Sequence, residues 1–119
     1  MTGPQGPAAR RRPPRTLKDF VPVGVTADVR LEDHRRYPLC RVVLFCGACG
    51  WARDYDPERI IDRLRALRAG GYSTPVAQVA RQVGWTCPGC GRAQWGTKLA
   101  YWKHTDPNAI QRMTRLARS

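Results

Sequence analysis

Apolar positions along this chain change period several times, and each change marks an element. Residues 38–46, Pro-Leu-Cys-Arg-Val-Val-Leu-Phe-Cys, crowd β-branched and aromatic side chains together and predict a strand. At period two, Cys40, Val42 and Leu44 share one face of it, so Cys40 reads as a buried structural thiol. Trp51–Tyr55 reads as the return strand. The period then becomes helical: Ile60, Ile61, Leu64 and Leu67 fall on one side, with Arg59 and Arg63 pointing away. Asp56-Pro57-Glu58 supplies an N-cap, a proline at the first helical position and an acid in the first turn, and Gly70-Gly71 ends the pattern. Ser73-Thr74-Pro75 repeats the start signal for a second helix with the stripe Val76, Val79, Ala80 and Val83. Residues 93–103, with Trp95, Leu99, Tyr101 and Trp102, predict a long strand or hairpin. Asp106-Pro107 opens a last helix, whose apolar face is Ala109, Ile110, Met113, Leu116 and Ala117. Nearer the start, Phe20–Val23 and Val25–Val29 read as extended segments parted by Gly24, and Glu32–Arg36 as a charged turn.

Two cysteine pairs organise these elements. Cys46-Gly-Ala-Cys49-Gly and Cys87-Pro-Gly-Cys90-Gly are both Cys-x-x-Cys turns followed by glycine, the spacing at which two thiolates from one turn grip one ion. Together they make the closed four-thiolate set of a structural metal site. The competing reading is four reduced core cysteines or two short-loop disulfides, and such loops stabilise little. The predicted architecture is therefore α+β: a small zinc ribbon, its two knuckles on β-hairpins, with a two-helix insert and a C-terminal helix. Residues 1–16 are expected to be a disordered basic arm, 17–105 the zinc-ribbon domain with its helical insert at 56–83, and 106–119 a basic amphipathic helix.

Charge adds a possible partner. The 119 residues hold 21 Lys+Arg against 9 Asp+Glu, a formal net charge of +12, which favours polyanions. An arginine-biased composition is the bland alternative. Candidate contacts are Arg10, Arg11, Arg12 and Arg15 in the arm, then Arg92, Lys98, Lys103, Arg112, Arg115 and Arg118. Trp51 and Trp85 stand beside the cysteine turns and are expected to shield the site. Trp95, Tyr101 and Trp102, interleaved with basic residues, read either as a stacking platform for bases or as ordinary core aromatics. His34 reads as exposed, since the cysteine set is already full.

The order knuckle, helices, knuckle resembles small zinc-ribbon proteins of alphaproteobacteria, over about residues 44–92. The shared features are the first cysteine pair, the Asp-Pro helix start, a helix like Thr74-Pro75-Val76-Ala77-Gln78-Val79-Ala80-Arg81, and the second pair. That resemblance implies a fold and a metal. Cys46-x-x-Cys49-Gly50-Trp51, Tyr55-Asp56-Pro57 and Trp85-x-Cys87-Pro88-x-Cys90-Gly91 also resemble the iron-binding loops of rubredoxins, which implies an electron carrier. The helical patterns between the pairs and the basic charge depart from that family. An enzyme is not expected: four cysteines close the metal site, the His-x-Glu of zinc deaminases is missing, and no phosphate-binding glycine loop occurs. The expectation is one structural zinc ion, with iron as the alternative. The partner is DNA, RNA or another protein, with neither membrane nor small-molecule substrate. A reducing, cytoplasmic setting fits the odd number of cysteines.

Overall fold

The computed structural model describes residues 15–23 and 29–118 of the chain. The strand read from the apolar run lies at its centre. Five strands, β1 (Arg15–Thr16), β2 (Phe20–Pro22), β3 (Arg41–Cys46), β4 (Trp51–Tyr55) and β5 (Trp95–Trp102), form one antiparallel sheet in the order β1-β4-β3-β5-β2. β3 is flanked on both sides, and its Val42, Val43 and Leu44 are buried although successive side chains point to opposite faces. Both faces of the sheet are therefore covered, as the unbroken apolar run requires.

One face packs beneath helices. Cys40, Val42 and Leu99 meet Ile61 and Leu64 from helix α1 (Pro57–Ala66), together with Val76, Val79 and Leu31. Asp56 caps α1 as expected, its carboxylate accepting from the Glu58 N–H at 3.0 Å. Cys40 is buried in this core, and burial pushes its thiol up to about 12. The other face holds Phe20, Val43, Ala52 and Ala100, with Phe45 and Trp102 packed alongside. A Cβ on Gly96 would stand 2.5 Å from the Phe45 ring, so any other residue there would have to displace that ring.

The sheet curls, which brings its two edges together. β1 pairs with β4 at one edge and β2 with β5 at the other, yet only the short 3-10 helix Leu17–Asp19 separates them. Residues 15–22 thus span from edge to edge. This corrects the expected arm, because Arg15 and Thr16 belong to the sheet. Asp54 of β4 draws Arg15 in: its two carboxylate oxygens accept from Arg15 at 2.6 Å and Arg41 at 2.9 Å. The Arg15 guanidinium also lies 4.1 Å from the Trp102 ring centroid. Residues 1–14 and the Val25–Asp28 part of the second extended segment lie outside the described residues.

Other elements differ from expectation for local reasons. The stripe after Pro75 forms a 3-10 helix, Val76–Gln82, and not an α-helix. The Val76 C=O, which an α-helix would offer to the Ala80 N–H, accepts from the Thr97 hydroxyl, so a contact from β5 competes with the first α turn. β-branched valines further weaken the α preference. Leu67 is not core: α1 ends before it, Arg68 turns left-handed, and Leu67 is 55% exposed. Glu32–Arg36 is part of a 3-10 helix, Leu31–Arg36. Residues 95–102 form one strand and α2 is Pro107–Arg118. Among the described residues no helix is long and apolar enough to cross a membrane.

His34 is part of a latch between the 3-10 helix Leu31–Arg36 and α1. The Glu58 carboxylate meets the Tyr72 hydroxyl at 2.9 Å and the His34 ring at 2.5 Å. The Tyr72 hydroxyl and then His34 hold Glu58 below the usual carboxylate range. A depressed carboxylate stabilises the fold above its unfolded value of about 4.3, and that contribution fades as pH falls through the folded value. Urea denaturation should show Glu58→Gln less stable than wild type near pH 6, by no more than about 1 kcal/mol because Glu58 is 42% exposed. The gap should close towards pH 3. A gap that is flat with pH would mean that the latch contributes nothing through its charge.

Candidate metal centre

The two cysteine turns adopt the same backbone geometry. In the first, the Gly50 N–H donates to the Cys46 carbonyl at 2.9 Å and the Ala48 N–H approaches the Cys46 sulfur at 3.4 Å. In the second, the Gly91 N–H donates to the Cys87 carbonyl at 2.8 Å and the Gly89 N–H approaches the Cys87 sulfur at 3.3 Å. Gly50 and Gly91 take φ of +85° and +78°, the left-handed region that a side chain would strain. The glycine after each pair is thus explained by the turn it must close.

The supports of the two turns differ. The first joins β3 to β4, and Cys46 is the last residue of β3. The second stands on no hairpin, which corrects the expected symmetry: residues 83–94 form no strand, and β5 begins only at Trp95. Its hold on the sheet comes through the Gly47 N–H, which donates to the Gln94 carbonyl at 2.7 Å, and through the pairing of Cys46 with Trp95.

Together the turns bring Cys46, Cys49, Cys87 and Cys90 into one cluster, with all four sulfurs within 4.8 Å of one another. Across the turns, Cys49 and Cys87 stand 3.6 Å apart and Cys46 and Cys90 3.7 Å. A tetrahedral tetrathiolate with metal–sulfur bonds of about 2.3 Å places its sulfurs about 3.8 Å apart, so the cluster has the size of such a site. These contacts are non-bonded, and all five cysteines are free of disulfides. Cys46 and Cys87 are buried while Cys49 and Cys90 reach the surface. The sulfurs titrate against one another. Burial raises the Cys46 thiol, but the N–H groups of Cys49 and Ala48 outweigh it and bring it down to about 7. The Trp51 N–H favours the Cys49 thiolate, yet burial and the three neighbouring sulfurs push it up to about 12. Four thiolates this close repel unless a cation sits among them, so the donor set fits a bound metal.

Three tryptophans pack beside the cluster. Trp51, Trp85 and Trp95 meet edge to face, with ring centroids 4.7–5.9 Å apart, and the Trp95 indole donates to the Trp85 carbonyl. Trp51 and Trp85 are where the sequence places them. Trp95 belongs with them and not with Trp102, which lies roughly 23 Å away at the far end of β5. Tyr101 packs against the helix-covered core and Trp102 on the opposite face, so these rings form no common platform.

The basic candidates are dispersed. Arg10, Arg11 and Arg12 lie outside the described residues. Arg15 is engaged by Asp54, and Lys103 by Asp19 at 2.7 Å. Lys98 is half-buried over Phe45, and burial lowers its pKa. Arg92 is exposed on the second turn, and Arg112 and Arg115 are exposed on α2. Arg118 falls in the last turn of α2. Arg59, Arg63, Arg65 and Arg68, not among the basic candidates above, lie exposed along and just beyond α1. Their spacing opposite the Ile61–Leu64 stripe was the available signal.

Each of Cys46→Ser, Cys49→Ser, Cys87→Ser and Cys90→Ser should lose most bound metal by elemental analysis, whereas Cys40→Ser should retain it. A structural tetrathiolate can supply on the order of 10 kcal/mol of folding free energy, so a chelator should unfold the knuckle end. Tryptophan emission should move to the red as the triad opens. Full metal content in Cys87→Ser would overturn the ligand assignment. No known protein family, curated protein or solved structure matches the chain, so the reading rests on its own sequence and geometry.

Proposed function

We propose that the chain is a non-catalytic protein, stapled by zinc, that binds nucleic acid chiefly through phosphate contacts. The observation that carries the metal part is the pair of congruent turns with sulfurs at tetrathiolate spacing. Cys46, Cys49, Cys87 and Cys90 would hold the ion, and four protein ligands leave no position for a substrate. The ion would act by fixing the second turn to the end of β3.

Charge distribution supports the nucleic-acid part. Asp19, Asp54 and Glu58 are met by Lys103, by Arg15 and Arg41, and by His34. Asp33, Asp56 and Asp106 accept from backbone N–H groups. The acids are largely turned to internal work, while Arg59, Arg63, Arg65, Arg68, Arg92 and Arg112 face solvent. A net charge of +12 therefore presents mainly guanidinium groups outward, which suits phosphate.

Binding to labelled duplex and single strand, followed by fluorescence anisotropy at several salt concentrations, tests the reading. Affinity should fall steeply with salt, by a log–log slope of roughly −0.9 per phosphate neutralised. Deleting residues 1–14, which removes Arg10, Arg11 and Arg12 and leaves β1 intact, should make the slope shallower by up to about 2.7. Arg92→Gln with Arg112→Gln should weaken binding about equally for all sequences. Absence of binding at low salt would make the charge incidental and favour a protein adaptor. The purified protein should be colourless; a red, reversibly reducible preparation would instead indicate iron and an electron carrier.

A further inference from the structure

On the helix-covered face of the sheet, α1 and the 3-10 helix Val76–Gln82 part around a cavity of about 330 Å³. Val42 and Leu44 form its floor, and Leu64 and Val79 its walls. Leu67 and Trp85 stand at its rim, 55% and 42% exposed, the cost of a helix that ends one residue before its apolar stripe does. Large apolar side chains left in water beside a concave apolar surface mark a place that gains from being covered. The volume sits at the lower end of small-molecule sites.

The lining carries a single charged side chain, Arg63, and three neutral polar ones, Tyr55, Gln82 and Thr97. Among the described residues no carboxylate pairs with Arg63. The Thr97 hydroxyl is already spent on the Val76 carbonyl. An apolar chamber with one unpaired guanidinium complements a molecule with an apolar body and one anionic end. We propose that this cavity binds a small amphiphilic anion, its carboxylate held by Arg63 and its hydrocarbon part laid over Leu44, Val79 and the Trp85 ring. Arg63 is thereby assigned to the cavity, while the other solvent-facing arginines named above, Arg59, Arg65, Arg68, Arg92 and Arg112, do not line it.

Decanoate, titrated into the full-length metal-loaded protein and followed by methyl and indole NMR, tests this. One saturable site is expected, with shifts at Leu67, Val79 and Val83 methyls and at the Trp85 indole. Val21 and Met113, exposed elsewhere, should stay still. Arg63→Gln, at an exposed position, should weaken decanoate by about tenfold, as should replacing decanoate with uncharged decanol. Arg112→Gln should change nothing. Non-saturating shifts that include Met113 would show detergent-like adsorption and overturn the proposal. Equal binding of decanol and decanoate would remove the role of Arg63 and overturn it too. Shifts at the same signals with an acidic amphipathic peptide, but none with decanoate, would make the cavity a protein-docking site instead.

Discussion

The junction at the end of β3 governs the rest of the structure. Cys46 closes that strand, pairs with the first residue of β5, and joins the cluster that gathers in the second cysteine turn. The twelve-residue stretch 83–94 has neither strand nor helix, and of its side chains only Cys87 is buried. Its place depends on a short backbone link at Gly47, the tryptophan packing and the four sulfurs. Thiolates at this spacing are unfavourable together without a cation, so an ion held there would order the stretch and relieve the repulsion at once.

The sequence was most legible where a single physical rule acted alone. The apolar run of β3, the Asp56-Pro57 cap of α1 and the glycines after each cysteine pair each answer to one local requirement, and all lie where that requirement places them. Legibility failed where distant partners decided. Pro75 and Val76 look like a helix start, but Thr97 of β5 claims the Val76 carbonyl that an α-helix would use. Arg15 looks like part of a charged tail until Asp54, far along the chain, supplies its counter-charge. Trp95 and Trp102 share a short segment, yet a strand separates its ends more than any stacking arrangement permits. The clustering of the four cysteines is legible because spacing alone encodes it; the cavity beside Leu67 is not, since it arises from where α1 stops.

Charge and packing also divide labour in this chain. The few acids serve as helix caps, as the latch at Glu58 and as the anchor at Asp54, so removing one affects shape as much as electrostatics. The arginines are less committed. Some clothe aromatic rings, as Arg35 does over Tyr72 and Arg53 over Tyr55, while others extend from α1 into water. Such a surface tolerates exchange of individual cations better than loss of the carboxylates of Asp54, Asp56 or Glu58.

The segment 15–22 has a protective consequence. A curled sheet of this size would otherwise present two rows of unpaired backbone donors and acceptors, along β4 and along β5, each able to recruit a strand from another molecule. By running from one edge to the other, a single short stretch of chain shields part of both rows at once. Pro22 at the outer strand cannot donate to a further neighbour, and Arg53 and Asp54 place charge along the β4 edge that β1 leaves uncovered. The guard against edge-to-edge pairing thus shares a segment with Phe20, which covers Val43 and Ala100, so a fragment beginning after residue 22 would bare two strand edges and one face of the core together.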